Sequence, residues 1–116
     1  MPSRLTFSAD QRLKQQADFK KVLDTGRRLV RGPLVFFVAS GVMSKTRLGI
    51  RISRRVGNAV KRNRIKRLIR ETFRQLQHEW PEVVDIVISV QPHVVLSLAG
   101  YQVLFLMILK LQARRT

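Results

Sequence analysis

Cysteine is absent from the sequence, which excludes disulfides, thiolate metal sites and a cysteine nucleophile, and suits a reducing compartment. Acids are almost as scarce: 7 Asp+Glu stand against 23 Lys+Arg, a formal charge of +16. The two histidines, His78 and His93, lie apart with no carboxylate cluster near either. The residues therefore offer no catalytic residue set and no metal site of their own. Residues 1–10 contain no apolar run long enough for a secretory signal. Internal repeats and Gly/Ser- or Pro-rich linkers are also missing, so nothing divides the chain. The expectation is a single cytoplasmic domain over residues 1–116, with an N-terminal tail at 1–10 and a C-terminal tail at 112–116.

What is present is a core and a strong field. Hydrophobic residues make up 45% of the chain, enough for a globular domain and too many for a disordered basic tail. A charge of +16 on 116 residues repels itself unless an anion neutralises it. Nucleic acid fits, because each neutralised phosphate releases a condensed counterion. An anionic membrane surface is the competing partner.

Hydrophobic periodicity orders the elements. Ala17, Phe19, Val22 and Leu23 recur at helical spacing, and Gly26 follows as a stop, predicting a helix over 15–25. Arg27, Arg28 and Arg31 read as a basic connection ending at Gly32-Pro33. Residues 34–40 are β-branched and aromatic and read as a strand with two apolar faces. Leu48, Ile50 and Ile52 alternate with Gly49, Arg51 and Ser53, the pattern of a half-buried strand. Asn58 supplies an N-cap for a helix over 59–78, closed by Trp80-Pro81. Residues 83–90 form a further apolar strand that Pro92 ends, and residues 98–113 a last helix. The order α-β-β-α-β-α predicts an α/β (α+β) two-layer sandwich.

The second helix carries the main functional signal. Residues 51–74 hold ten Lys or Arg and one acid, Glu71. Ile65, Leu68, Ile69, Thr72 and Leu76 share one face of the helical wheel, and Asn63, Lys66, Arg67, Arg70 and Arg74 the opposite one. Arg62 and Arg64 flank the boundary. A solvated helix face ordinarily intersperses Glu with Lys, whereas here Lys66/Arg70 and Arg70/Arg74 place like charges at i, i+4. Such a row suits phosphate, for which the arginine fork is well shaped.

The stretch Arg54-Arg-Val-Gly-Asn-Ala-Val-Lys-Arg-Asn-Arg-Ile-Lys-Arg-Leu-Ile-Arg-Glu71 resembles the signature of the bacterial ribonuclease P protein component. The likeness extends to Asp18-Phe-Lys-Lys-Val-Leu-Asp-Thr-Gly26, to Arg47-Leu-Gly-Ile-Arg-Ile-Ser53 and to Asp85-Ile-Val-Ile-Ser89, in the same order and spacing. The resemblance implies a small basic subunit that assists a catalytic RNA in removing 5′ leaders from precursor tRNA. The Mg2+ ions and the chemistry are then expected in the RNA, with no cofactor on the protein and no role for DNA. It implies RNA binding by Arg54, Arg55, Arg62, Asn63, Lys66, Arg67 and Arg70, and a leader-binding cleft containing Phe19, Phe37 and Arg51. It also implies a left-handed crossover through the basic helix, against the usual preference. Core packing is the alternative role for Phe19 and Phe37, and Leu23 stands where relatives often carry a second aromatic.

From Ile86 to Leu109 no residue carries charge, and 101–109 is apolar on nearly every side. A membrane span needs about 20 predominantly apolar residues, and Pro92, His93, Ser97, Gly100 and Gln102 interrupt this run. A buried last helix with an apolar flank available for self-association is the expectation. A ribosomal protein or RNA chaperone, or a membrane-surface protein, would satisfy the charge alone; the ordered motifs favour the ribonuclease P subunit.

Overall fold

A computed structural model describes residues 11–115; the expected N-terminal tail at 1–10 lies outside the described residues. The chain runs α1 (Gln16–Thr25), β1 (Arg27–Arg31), β2 (Leu34–Ser40), β3 (Arg47–Ile52), α2 (Ala59–Leu76), β4 (Val84–Val90) and α3 (Leu98–Arg115). The strands form one sheet in the order β1-β2-β4-β3. The α+β sandwich is as expected, with one strand added to the predicted order and helices on both faces of the sheet rather than one.

That strand is β1, which the sequence presents as a basic connection. It pairs antiparallel with β2, and the register Arg31↔Leu34 leaves Gly32-Pro33 as a two-residue loop. Gly32 has φ 54°, a conformation that two-residue hairpins demand and glycine adopts without strain. Only Leu29 of β1 is buried. Arginines conceal such a strand because their aliphatic stems cover the sheet while their charges stay in water. They also guard an open edge against pairing with another chain.

Strands β3 and β4 are parallel neighbours, from Arg47↔Asp85 to Ile52↔Val90, and α2 makes the crossover between them. Alternation divides the sheet residues between two faces. Leu34, Phe36, Val38, Leu48, Ile86, Ile88 and Val90 join Ile65, Ile69, Phe73, Tyr101, Phe105 and Ile108 in the main core under α2 and α3. On the other face a smaller cluster of Leu13, Val22 and Val87 carries Phe19, Leu23, Phe37 and Ala39 at its edge. The two apolar faces of β2 serve these two layers.

Asn58 caps α2 as its sequence suggests, its side-chain oxygen accepting from the Lys61 amide at 2.9 Å. The regular helix stops at Leu76, a 3-10 turn follows at Gln77–Glu79, and Trp80 returns to the core. The expected tail at 112–116 is instead helical to Arg115, because the buried Gln112 continues the packed face of α3. That face also holds Tyr101, Phe105, Ile108 and Leu109, while Val103, Leu106 and Met107 remain exposed. Among the described residues, no helix is long and apolar enough to cross a membrane.

One buried ion pair joins three elements. Arg47 and Asp85 are only 8% and 3% exposed, and sit side by side at the start of their strands. The guanidinium donates through Nε to Asp85 Oδ1 at 3.0 Å and through Nη2 to Oδ2 at 2.9 Å. Its remaining nitrogen, Nη1, reaches Asp18 of α1 at 3.5 Å. The hydrogen bonds to Asp85 hold the guanidinium still more firmly in its charged form. Two residues later on the same face lies Gly49, where an added Cβ would come within 2.5 Å of the Phe19 ring. The pair and this bare backbone together seat α1.

Asp85→Ala, by leaving Arg47 buried without its main partner, is expected to destabilise the protein by about 3–5 kcal/mol, measured as a urea unfolding midpoint. Pairing Asp85→Leu with Arg47→Met should restore much of that loss, since an apolar pair strands no charge. A single variant as stable as the wild type would refute the structural role of the pair.

Candidate nucleic-acid interface

The face of α2 that points away from the core is short of acids and rich in guanidinium groups. Asn63, Lys66, Arg67, Arg70 and Arg74 line one shallow groove of about 570 Å3, together with Glu71 and Arg12. The helical wheel thus placed five of these residues together correctly, on the pitch that brings i, i+3, i+4 and i+7 to one side. Phe73 joins the buried side, where Ile65, Ile69 and Thr72 already lie.

Glu71 does not neutralise the groove. Both of its oxygens accept from Arg74, Oε1 from Nε at 2.9 Å and Oε2 from Nη2. These bonds hold the Glu71 carboxyl below the usual carboxylate range. Arg70 is shifted the other way: partial burial, and then the positive charge of Arg12, lower its affinity for its proton. The site therefore concentrates positive charge at some electrostatic cost, an arrangement that favours an incoming anion.

The other expected RNA-binding residues, Arg54, Arg55 and Arg62, do not line this groove. Arg62 is half-buried and donates from Nε to the Gly57 carbonyl at 3.1 Å, bracing the turn that enters α2. Arg54 and Arg55 are exposed on a 3-10 turn, Arg54–Val56, between β3 and α2, whose Val56 is buried. Arg55 shares a second depression, about 450 Å3, with Arg51, Ser53, Ser89 and Gln91 at the ends of β3 and β4.

Arg51 also belongs to a third groove of about 590 Å3, where it faces Phe19, Lys20, Leu23 and Asp24 of α1. Strand alternation sends Arg47, Gly49 and Arg51 to the α1 side, so this cation was legible from the period-two pattern. Phe19 packs on Gly49 with part of its ring still accessible, and Phe37 is likewise half-buried on the neighbouring surface of β2. The two proposed roles of these rings are therefore compatible: one side packs on the small core and the other remains available. Aromatic surface beside cations is the usual equipment for holding unpaired nucleotides.

Histidine chemistry is absent from these surfaces. His93 Nδ1 lies 2.8 Å from the Gln91 carbonyl, an acceptor, so the proton belongs on Nδ1. The Tyr101 hydroxyl then donates to Nε2 at 2.7 Å and accepts from the Leu96 amide at 3.3 Å. Burial raises the pKa of the Tyr101 phenol, so it serves as a neutral link tying the β4–α3 loop to α3. Among the described residues, no group of three His, Asp or Glu side chains is placed to hold a metal ion.

Two features of the site escape sequence reading. Arg12 lies in a stretch without clear periodicity, and only the fold brings it to α2. The Arg47–Asp85 pair did leave a trace, because an acid inside an apolar strand such as β4 requires a partner.

Comparison with known proteins agrees with the fold. The profile of the Ribonuclease P family matches residues 7–110. The ribonuclease P protein component of Syntrophus aciditrophicus (strain SB) is 35% identical over 85 residues, which cover 73% of this chain and 71% of that protein. The ribonuclease P protein of Staphylococcus aureus superposes with a TM-score of 0.77 at 31% identity, covering 87% of this chain and 94% of the other. The protein from Thermotoga maritima gives a TM-score of 0.75 at 29% identity over 85% and 94%.

If the α1 groove holds bases by stacking, enlarging its aromatic surface should strengthen it. Leu23→Phe is expected to tighten binding of a short single-stranded RNA by about fivefold or more, taking roughly 1 kcal/mol as the lower end for one stacked base. Fluorescence anisotropy measures this, and an unchanged affinity in the folded variant would argue against stacking there.

Proposed function

The chain belongs to the ribonuclease P protein family and is a subunit of the ribonucleoprotein endonuclease that matures tRNA 5′ ends; from that premise we propose how its surfaces divide the work. The α2 groove binds the backbone of the catalytic RNA, and the α1 groove binds the single-stranded 5′ leader of precursor tRNA. The observation that carries this reading is the gathering of Asn63, Lys66, Arg67, Arg70 and Arg74 on one open face, apart from the groove of Phe19 and Arg51.

Arg51 lies on two of the depressions and links them. A strand in the α1 groove can continue past Arg51 towards Arg55 and the ends of β3 and β4, with phosphates facing cations throughout. The protein then holds and orients RNA while the RNA supplies the reaction centre. Hydrolysis of the phosphodiester requires an activated water, and in this reading the Mg2+ ions that activate it are ligands of the RNA. Two of the carboxylates are engaged with cations of the chain itself: Asp85 with Arg47, and Glu71 with Arg74. The same reading places the protein in the cytoplasm, and leaves Val103, Leu106 and Met107 of α3 as the flank available for self-association.

Reconstitution with a bacterial ribonuclease P RNA at low magnesium tests the whole assignment: the protein should accelerate cleavage of precursor tRNA over the RNA alone. Phe19→Ala and Phe37→Ala are expected to weaken leader-bearing substrate more than mature tRNA. Equal losses on both ligands would return these rings to a purely structural role. Arg67→Ala should lower the slope of log affinity against log salt for the catalytic RNA by about 0.7–0.9, one phosphate contact.

A further inference from the structure

The α2 groove has a second wall. Arg12 comes from the segment before α1, about 50 residues away in sequence from its neighbours in the groove. Its backbone is well held. Gln11 and Leu13 on either side are buried, and Arg12 itself is exposed. The Leu13 amide donates to the Leu48 carbonyl at 3.0 Å, and Arg12 forms a parallel bridge with Leu48 at the free edge of β3. Gln11 Nε2 donates to the Thr46 carbonyl at 3.4 Å and to Gln77 Oε1 at 2.5 Å. The segment is thereby fastened to both the sheet edge and the end of α2, and Arg12 is carried to the cationic row at a fixed place.

We propose that Arg12 is an RNA-binding residue, which together with Arg67 and Arg70 clasps the phosphate backbone of the catalytic RNA between the N-terminal segment and α2. The proposal rests on the assignment of the α2 groove to RNA and adds a wall to it. A single helix offers phosphate one row of cations; a cation on a separate, anchored element can face that row across the ligand. The groove lining holds five cations and only one carboxylate, and that carboxylate is bound to Arg74. Placing Arg12 beside Arg70 adds like charge there; burial first, and then the charge of Arg12, lowers the affinity of Arg70 for its proton. An RNA phosphodiester, with its charge spread over two non-bridging oxygens, relieves that repulsion and accepts from both guanidinium groups.

The test is the salt dependence of binding to a bacterial ribonuclease P RNA, measured on the full chain carrying Arg12→Ala, Arg12→Lys or Arg67→Ala. Arg12→Ala is expected to weaken binding and lower the log–log slope by about 0.7–0.9, matching Arg67→Ala. Arg12→Lys should keep the slope, since the charge is retained. The urea midpoint of Arg12→Ala should stay at the wild-type value, which a structural role would not allow. If Arg67→Ala lowers the slope and Arg12→Ala does not, or if Arg12→Lys loses as much as Arg12→Ala, the second wall is refuted and the α2 assignment stands. If neither Arg67→Ala nor Arg12→Ala changes the slope, the assignment of the groove to RNA fails as well.

Discussion

The Arg47–Asp85 pair sets the relation between the layers on which both candidate RNA surfaces depend. Its two hydrogen bonds lie across the parallel seam of β3 and β4, and the same guanidinium extends to Asp18 on α1. Charges this deeply buried tolerate little displacement, because desolvation has already been incurred and only close geometry offsets it. The register of β3 against β4 therefore fixes where Gly49 and Arg51 point. Gly49 admits the Phe19 ring, and Arg51 closes the groove that results.

A second constraint is electrostatic. A chain of this size with a charge of +16 carries repulsion that its own few acids cannot cancel. Four of the seven acids are spent internally: Asp85 and Asp18 on Arg47, Glu71 on Arg74, and Asp24 on Lys20. Lys66, Arg67 and Arg70 of α2, Arg54 and Arg55 of the β3–α2 turn, and Arg51 present their charge to solvent or a polyanion. The apolar face of α2 makes this possible, since Ile65, Ile69 and Phe73 bind the helix to the sheet strongly enough to carry a row of like charges outward.

The division of labour in a ribonucleoprotein follows from these two constraints. Rigid seating of α1 preserves a groove whose partly exposed rings and flanking cations suit unpaired nucleotides, whereas the α2 row suits a structured backbone. Neither surface assembles a nucleophile, a general base or a metal ligand set from the described residues. His93 has both ring nitrogens occupied, by Gln91 and Tyr101. Binding and orientation are what this surface chemistry can supply.

Much of this was legible in the sequence alone. The sign of the partner's charge, the two-sided character of α2, the strands at β2, β3 and β4 and the outward direction of Arg51 all follow from composition and local periodicity. Periodicities of 3.6 and 2 are carried by neighbouring residues and need no knowledge of the fold. Tertiary structure decided the rest. Arg27–Arg31 became a strand only because β2 offers it an edge, and the end of α3 stayed helical because Gln112 is packed. Arg47 found Asp85 across 38 residues, Phe19 found the bare backbone of Gly49, and Arg12 crossed from the N-terminal segment to the α2 row. Such contacts join positions far apart in the chain, so short-range pattern contains no term for them; they are chosen by burial, charge pairing and strand register together.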